Sequence, residues 1–232
     1  HQPAVEFIAM RAGQSWGYHD PAFPYYLAEA LRIGVCILPY HVVFPGESAR
    51  RQMDSFLNIL ASVDLQSVRL VLDMELDHNQ TRAKITQTLG ECLRILQAET
   101  SRLPLVYSRA SWVNEHLSVR DLPALDWWLA QYLARRSYPA YTPEFPCPPR
   151  LPEGVSAWRI HQTAERAPAI GGSGWYMDYD RWNGSHAELL AYFGREEKQP
   201  ALACPLDGSP CPRSDIQLNP ALVDQPFGME II

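Results

Sequence analysis

Short apolar runs alternate with amphipathic segments along residues 5–193, and this alternation constrains the fold more than any other feature of the sequence. Runs with the length and composition of buried strands cover seven ranges: 5–10, 35–43, 68–72, 105–108, 127–132, 155–162 and 175–179. Five ranges carry apolar residues at helical spacing: 24–33, 49–63, 82–99, 111–117 and 186–193. Strands that alternate with helices favour a parallel sheet, and seven strands in this order predict an α/β fold of the irregular TIM-like (β/α) barrel type.

Length and composition are those of one globular domain with a tail. A chain of 232 residues with 47% hydrophobic and 20% charged residues can bury one full core. Beyond residue 199 the sequence is rich in Pro, Asp and Ser and has little periodicity. We therefore expect a barrel domain over 1–199 and a Pro-rich tail or wrapping segment over 200–232. Two of the five cysteines, Cys204 and Cys211, lie in that tail, where a local disulfide is one option.

Charge and hydropathy argue against two classes of protein. A net charge of −6 and a pI near 5.6 are unfavourable for binding phosphates, so we expect no nucleic-acid partner. No apolar stretch reaches the roughly 18–20 residues that a membrane span needs, and no signal peptide is visible at the start of the sequence. Seven Trp and eleven Tyr fit a carbohydrate-binding cleft, where aromatic rings cover the apolar faces of sugars, although core and rim positions account for most of them equally well or better.

Two carboxylates, Asp73 and Glu75, close the third predicted strand. Because side chains alternate across a strand, both acids are expected on one face of the sheet and Met74 on the other. Neighbouring carboxylates repel each other, so one of them tends to retain a proton. A protonated acid beside an ionised carboxylate is the arrangement that general acid catalysis requires.

The carboxyl ends of the other predicted strands are also acidic and aromatic. In a barrel of this type, reactive groups lie at these ends of the strands. The polar residues there are Arg11, Tyr40, His41, Asp73, Glu75, Tyr107, Ser108, Gln131, Tyr132, His161, Gln162, Asp178 and Asp180. The set contains no candidate serine or cysteine nucleophile and no histidine cluster of the metal-binding type. Such a combination is typical of a site that cleaves sugars.

Nine segments, in one order and with consistent spacing, carry a further pattern. They are residues 7–12 (FIAMRA), 20–23 (DPAF), 34–41 (GVCILPYH), Gln52 with Phe56, 72–75 (LDME), 105–108 (LVYS), 128–132 (WLAQY), 158–162 (WRIHQ) and 177–180 (MDYD). Over residues 5–193 the series resembles glycoside hydrolase family 25, the lysozymes or muramidases of the Chalaropsis type. Arg11 stands where lysine is more usual in that family, and His161 where an aromatic residue usually lies.

The resemblance implies hydrolysis of the β-1,4 bond between N-acetylmuramic acid and N-acetylglucosamine in peptidoglycan, outside the cell or at the cell wall. It implies that Glu75 donates a proton to the leaving glycosidic oxygen, with Asp73 and Asp178 around the anomeric carbon. It also implies a cleft that binds glycan strands through Tyr40, Tyr107, Trp128, Tyr132, Gln162 and Arg11. No cofactor and no metal is expected, and the oligomeric state stays open.

The residues leave some alternatives open. A non-catalytic glycan-binding domain would keep the same cleft without the chemistry. A metal-dependent phosphoesterase would use Asp73, Glu75 and Asp178 as Mg²⁺ ligands, although the chain offers little basic surface for phosphates. For Arg11, an ion pair with a catalytic carboxylate and a structural salt bridge at the barrel rim are equally compatible with the sequence. Asp180 is an alternative to Asp178 if the strand register shifts.

One part of the family pattern has no counterpart in the sequence. Family members begin with a strand that bears an aspartate, well before the strand that resembles residues 7–12, and only six residues precede Phe7 here. The first strand of the barrel is therefore expected to be missing or replaced. The tail is one candidate for this position, with Asp215 or Asp224 supplying the acid.

Overall fold

The computed structural model describes residues 5–133, 147–168 and 176–195, and in these ranges eight strands form one mixed sheet. The strands are β1 (Phe7–Gln14), β2 (Tyr18–His19), β3 (Cys36–Val42), β4 (Val71–Asp73), β5 (Leu105–Ser108), β6 (Trp127–Ala130), β7 (Ile160–Pro168) and β8 (Tyr176–Trp182). The helices are α1 (Phe23–Ile33), α2 (Ala49–Ile59), α3 (Arg82–Thr100), α4 (Ala110–His116) and α5 (His186–Tyr192), with a 3₁₀ turn at Val119–Asp121.

The sheet is parallel at its centre and antiparallel at both edges. Its strand order is β2-β1-β3-β4-β5-β6-β7-β8; β2 pairs antiparallel with β1 and β8 with β7, and all other neighbours are parallel. The sheet curls into a half-barrel, and within the described ranges β2 and β8 are its two ends. The predicted α/β class is thus confirmed. The irregular TIM-like barrel is not confirmed exactly, because in the described residues the antiparallel edge strands β2 and β8 interrupt the parallel repeat of such a barrel.

Helix positions and most strand bounds agree with the sequence predictions to within about four residues, and the two largest differences are at β2 and β7. β2 has no counterpart among the predicted strands, because a strand of two residues carries no periodic signal. The strand predicted at 155–162 begins only at Ile160 and continues to Pro168. Its pairing with β8 contains two register shifts, which allow β7 to bend and to extend further along its partner.

The two faces of the sheet bury different sets of residues, as strand alternation requires. One face packs under the helices, where Ile8, Leu72 and Val106 join Phe56 of α2 and Leu89 of α3 in the larger apolar cluster. The opposite, inner face has a smaller cluster built from the amino-terminal ends of the strands and from α5: Phe7, Cys36, Val71, Leu105, Ile160, Leu189 and Phe193 are among its members. The carboxyl-terminal half of the inner face is therefore the part left for polar residues.

α5 is held firmly against the amino-terminal end of the inner face. Ser185 and Glu188 form a reciprocal capping box at its first turn. At its last turn the Tyr192 hydroxyl donates to Asp126 over 2.9 Å, and the Arg69 guanidinium lies 4.2 Å from the centre of the Tyr192 ring. The helix thus closes one end of the curled sheet and leaves the other end open.

Several predictions concern residues outside the described ranges and stay predictions. They include the tail at 200–232 with Cys204 and Cys211, and the idea that Asp215 or Asp224 fills the place of the first strand. Among the helices that the structure does describe, none has an apolar stretch long enough to cross a bilayer.

Candidate active site

Asp73 and Glu75 lie together on the inner face, at the carboxyl end of β4. Met74 between them is fully buried in the helix-side cluster, which confirms the predicted alternation. The backbone of Met74 is fixed from β5, because its N–H donates to the Tyr107 carbonyl over 3.0 Å and its carbonyl accepts from the Ser108 hydroxyl over 2.6 Å. With Met74 anchored on one side, the two carboxylates are held on the other.

The environment of Glu75 favours its protonated form. Burial raises the pKa of Glu75 most strongly, and the negative charge of Glu165 raises it further. Arg109 acts in the opposite direction through its charge and a hydrogen bond, with its Nε 3.2 Å from a carboxylate oxygen of Glu75. The net result is a raised pKa, so Glu75 retains its proton to a higher pH than an ordinary glutamic acid. This is the property that a proton donor requires.

A chain of hydrogen bonds leads across the inner face to Asp178. The Tyr107 hydroxyl donates to Gln162 Oε1 over 2.7 Å, and Gln162 Nε2 donates to Asp178 Oδ2 over 2.7 Å. A carboxylate only accepts hydrogen bonds, so the amide must present its NH₂ group to Asp178 and its carbonyl to Tyr107. Tyr132 extends the chain through a hydrogen bond to Tyr107. The side chains of Tyr107, Gln162 and Asp178 are all buried, so their orientations are hard to change.

Tyr132 lies close to three acids at the carboxyl end of β6. Its pKa is raised to about 12 by burial first and then by the negative charges of Glu165, Glu75 and Asp178. Its side chain is nevertheless among the exposed large hydrophobic groups of the protein. The hydroxyl therefore stays protonated while part of the ring is open to the solvent.

Trp128 and Asp180 form a second polar contact on the same face. The Trp128 indole N–H donates to an Asp180 carboxylate oxygen, and the Trp128 ring meets Tyr107 edge-on with centroids 4.9 Å apart. Trp128 is only 2% exposed, so it forms the floor of the cleft and not an open platform. Asp178 and Asp180 thus have separate partners, Gln162 and Trp128, and both acids lie on the inner face of the sheet.

Arg11 forms a structural ion pair at the rim of the sheet. Its guanidinium lies 2.9 Å from the buried carboxylate of Asp20, which also accepts from the N–H of Ala22 just before α1. Of the two alternatives for Arg11, the structural salt bridge is therefore the one observed in the described residues. His41, also near this edge, is fully buried against Phe56 on the helix side of the sheet and does not reach the cleft.

Two charged residues beside Glu75 were missed in the sequence. Arg109 is the residue immediately after β5, one position beyond the last polar residue predicted for that strand end, Ser108. Glu165 lies inside β7, beyond the predicted end of that strand at 162. Glu165 and Gln162 are three positions apart, so in a regular strand their side chains would point to opposite faces of the sheet. The pairing of β7 with β8 shifts register in this part of the strand, and a shift of this kind changes which face a side chain points to.

Cavity size alone does not identify this site. The pocket formed by Tyr40, Asp73, Glu75, Tyr107 and Trp128 has a volume of about 60 Å³. A larger cavity of about 740 Å³ lies on the helix side of the sheet, where it is lined by Arg82, Trp127 and Glu153 among others. We assign the site to the smaller pocket because the acids and the hydrogen-bond chain converge there. In the described part of the chain, no three His, Cys, Asp or Glu side chains are grouped as metal ligands.

Comparison with known proteins identifies a family. The family model described as "Glycosyl hydrolases family 25" matches residues 1–171. The uncharacterized protein YegX of Escherichia coli K12 is 26% identical over 192 residues, which are 81% of this chain and 63% of YegX. The chain thus spans less than two thirds of the length of the curated relatives that it matches.

Solved structures with the same fold are less than 25% identical in sequence. The muramidase from Acremonium alcalophilum is 18% identical, with a TM-score of 0.64 over 81% of this chain and 87% of that one. The family GH25 lysozyme from Aspergillus fumigatus is 21% identical, with a TM-score of 0.64 over 82% and 88%. The family 25 glycosyl hydrolase from Bacillus anthracis is 16% identical, with a TM-score of 0.66 over 83% of each chain.

Proposed function

Because this chain belongs to glycosyl hydrolase family 25, we propose that it hydrolyses the glycan strands of peptidoglycan, at the β-1,4 bond between N-acetylmuramic acid and N-acetylglucosamine. The observation that carries the proposal is the state of Glu75. It is a partly buried acid with a raised pKa, and it shares its pocket with a second carboxylate, Asp73. A substrate of this kind also implies a protein that acts at the cell wall or outside the cell.

The acids have different roles in the proposed reaction. Glu75 donates its proton to the glycosidic oxygen as the bond to the anomeric carbon breaks, so the leaving sugar departs as a neutral alcohol. Positive charge then develops at the anomeric carbon and the ring oxygen. Asp73 and Asp178 lower the energy of that charge, since they lie on the same face of the sheet and have carboxylates that Gln162 and neighbouring groups orient.

Aromatic residues supply the binding surface in this proposal. Tyr40 and Tyr107 line the pocket beside the acids, and Trp128 forms its floor. Tyr132 offers an exposed ring at the cleft edge, where it can stack against a sugar face. Arg11 contributes indirectly, because its ion pair with Asp20 holds the rim in place.

The Glu75→Gln variant tests the proposed proton donor. It keeps the shape and the hydrogen-bonding capacity of the side chain and removes the transferable proton. We expect the release of reducing ends from purified cell walls to fall by about 10²–10⁴-fold, the usual contribution of general acid catalysis. Glu115→Gln, an exposed site on α4, is the matched control and is expected to keep full activity. Wild-type activity in Glu75→Gln would refute the assignment.

A glycan-binding domain without catalysis is the second candidate. The ion pair between Arg109 and Glu75 favours this alternative, because it stabilises the ionised carboxylate that cannot donate a proton. The same assay separates the two functions. Sedimentation of the protein with cell walls, with no release of reducing ends by the wild type, would assign the chain to the binding class.

A further inference from the structure

We propose that Arg109 is a specificity-determining residue that binds a carboxylate carried by the glycan substrate, and that Glu165 repels the same group and so orients the strand. This inference rests on the proposed function and extends it to a chemical feature of the substrate. Neither residue belongs to the segments that carry the family resemblance. Both act on the pKa of Glu75, which Arg109 lowers and Glu165 raises.

Arg109 is placed to exchange one carboxylate partner for another. It lies at the carboxyl end of β5, next to the strand that bears Asp73, and immediately before α4. Its side chain is 52% exposed, and in the described ranges its ion pair is with Glu75. Ion pairs near the surface contribute little to stability, so a ligand carboxylate can replace Glu75 as the partner of Arg109. The guanidinium is always charged and matches a carboxylate with two parallel N–H groups.

Protonation of Glu75, which the proposed reaction requires, favours a substrate carboxylate as the new partner of Arg109. When Glu75 carries its proton it no longer attracts Arg109 as an anion, which leaves a cation at the cleft without its counter-charge. A substrate carboxylate restores that charge balance. It also withdraws Arg109 from Glu75, and this removes the interaction that opposes protonation of the acid. Binding of an anionic substrate and preparation of the proton donor are thereby coupled.

Glu165 supplies the opposite sign on another side of the cleft. It is an exposed residue of β7, three strands along the curled sheet from β4. Its negative charge raises the pKa of both Glu75 and Tyr132. A carboxylate on the substrate is attracted toward Arg109 and repelled from Glu165. Binding sites commonly select one orientation of a ligand by combining an attractive group with a repulsive one, here Arg109 and Glu165.

Peptidoglycan offers this carboxylate from two sources. In glycan without peptides, the lactyl group of N-acetylmuramic acid ends in a free carboxylate. In peptide-bearing glycan that group is bonded as an amide, and the free carboxylates lie on the peptide. The chemistry that Arg109 would recognise is the same in both cases, so the experiment includes both forms.

The test compares three soluble glycan oligomers of equal length: the peptide-free acid, its methyl ester, and a peptide-bearing form. Dissociation constants from calorimetry and kcat/KM from reducing-end release are measured for the wild type and for Arg109→Gln, Arg109→Lys and Glu165→Gln. Arg94→Gln, with the same charge change on the exposed side of α3, is the matched control.

We expect the wild type to prefer a free carboxylate, on the lactyl group or on the peptide, by roughly tenfold, as for one charge-assisted contact. Arg109→Gln should lose this preference, mainly through KM, and Arg109→Lys should retain part of it. Glu165→Gln should tighten the binding of the acid, and Arg94→Gln should behave as the wild type.

A preference that survives in Arg109→Gln, or equal treatment of all three oligomers by the wild type, would overturn the inference. If the wild type instead binds the acid selectively through Arg109 but cleaves no oligomer, the proposed hydrolysis fails while the inference stands.

Discussion

Tyr107→Phe is the perturbation that most directly tests how the cleft is organised. The change removes one hydroxyl and leaves the ring against Trp128 in place. The carbonyl of Gln162, which is almost fully buried, then loses the donor 2.7 Å away that fixes the orientation of the amide. A buried acceptor left without its partner costs about 1–3 kcal/mol. If about 2 kcal/mol of this appears as weaker orientation of Asp178 in the transition state, kcat/KM falls roughly 30-fold.

The assay is reducing-end release from cell walls, with the folded fraction measured by circular dichroism at the same temperature. A double-mutant cycle with Gln162→Leu supplies the sharper readout. If Tyr107 acts through Gln162, the double variant should be no less active than Gln162→Leu alone. Tyr25→Phe, which removes an exposed hydroxyl on α1, is the control. Additive effects in the cycle, or near-normal activity in Tyr107→Phe, would refute the relay from Tyr107 to Asp178.

Two further predictions concern stability and pH. Burial lowers the pKa of His41 to about 4. The unfolded chain therefore binds a proton near pH 6.5 that the folded protein does not, and the free energy of unfolding in urea should fall by about 3 kcal/mol between pH 7 and pH 4. His41→Gln should remove this component; an unchanged slope would contradict it. For Glu75 the pKa is raised, so its contribution to stability is greatest at low pH and is lost as the pH rises through the unfolded and then the folded pKa. Glu75→Gln should therefore melt at or above the wild-type temperature at pH 7 and lose that advantage near pH 4, and a lower melting temperature at pH 7 would refute this assignment.

The sequence predicted those parts of the fold and site that depend on local pattern. Helix α3 and the acids of β4 follow from apolar period and strand alternation, which act over a few residues. The contacts of Asp178 with Gln162 and of Arg11 with Asp20 depend on strand pairing and loop path, which no local period specifies. The half-barrel likewise depends on the antiparallel direction of β2 and β8 at the sheet edges.

The position of Glu165 likewise depends on strand pairing, which the local sequence does not specify. Its side of the strand is decided by register shifts in the pairing of β7 with β8. A bulge of this kind is a property of two strands together, and it leaves no mark in the spacing of either one. Arg109, by contrast, directly follows a correctly predicted strand, and its position one residue beyond the strand end is visible in the sequence.

The division of the inner face between an apolar half, closed by α5, and a polar half has a practical consequence. Tyr107 and Trp128 belong both to the apolar cluster and to the lining of the cleft, whereas Asp73 and Glu75 line the cleft without belonging to the cluster. The proposed proton donor Glu75 can therefore be replaced without loosening the apolar cluster beneath it. An inactivated variant of this protein, coupled to a fluorophore, would retain its shape and its cleft. Under the proposed function, such a reagent would label exposed glycan on bacterial walls.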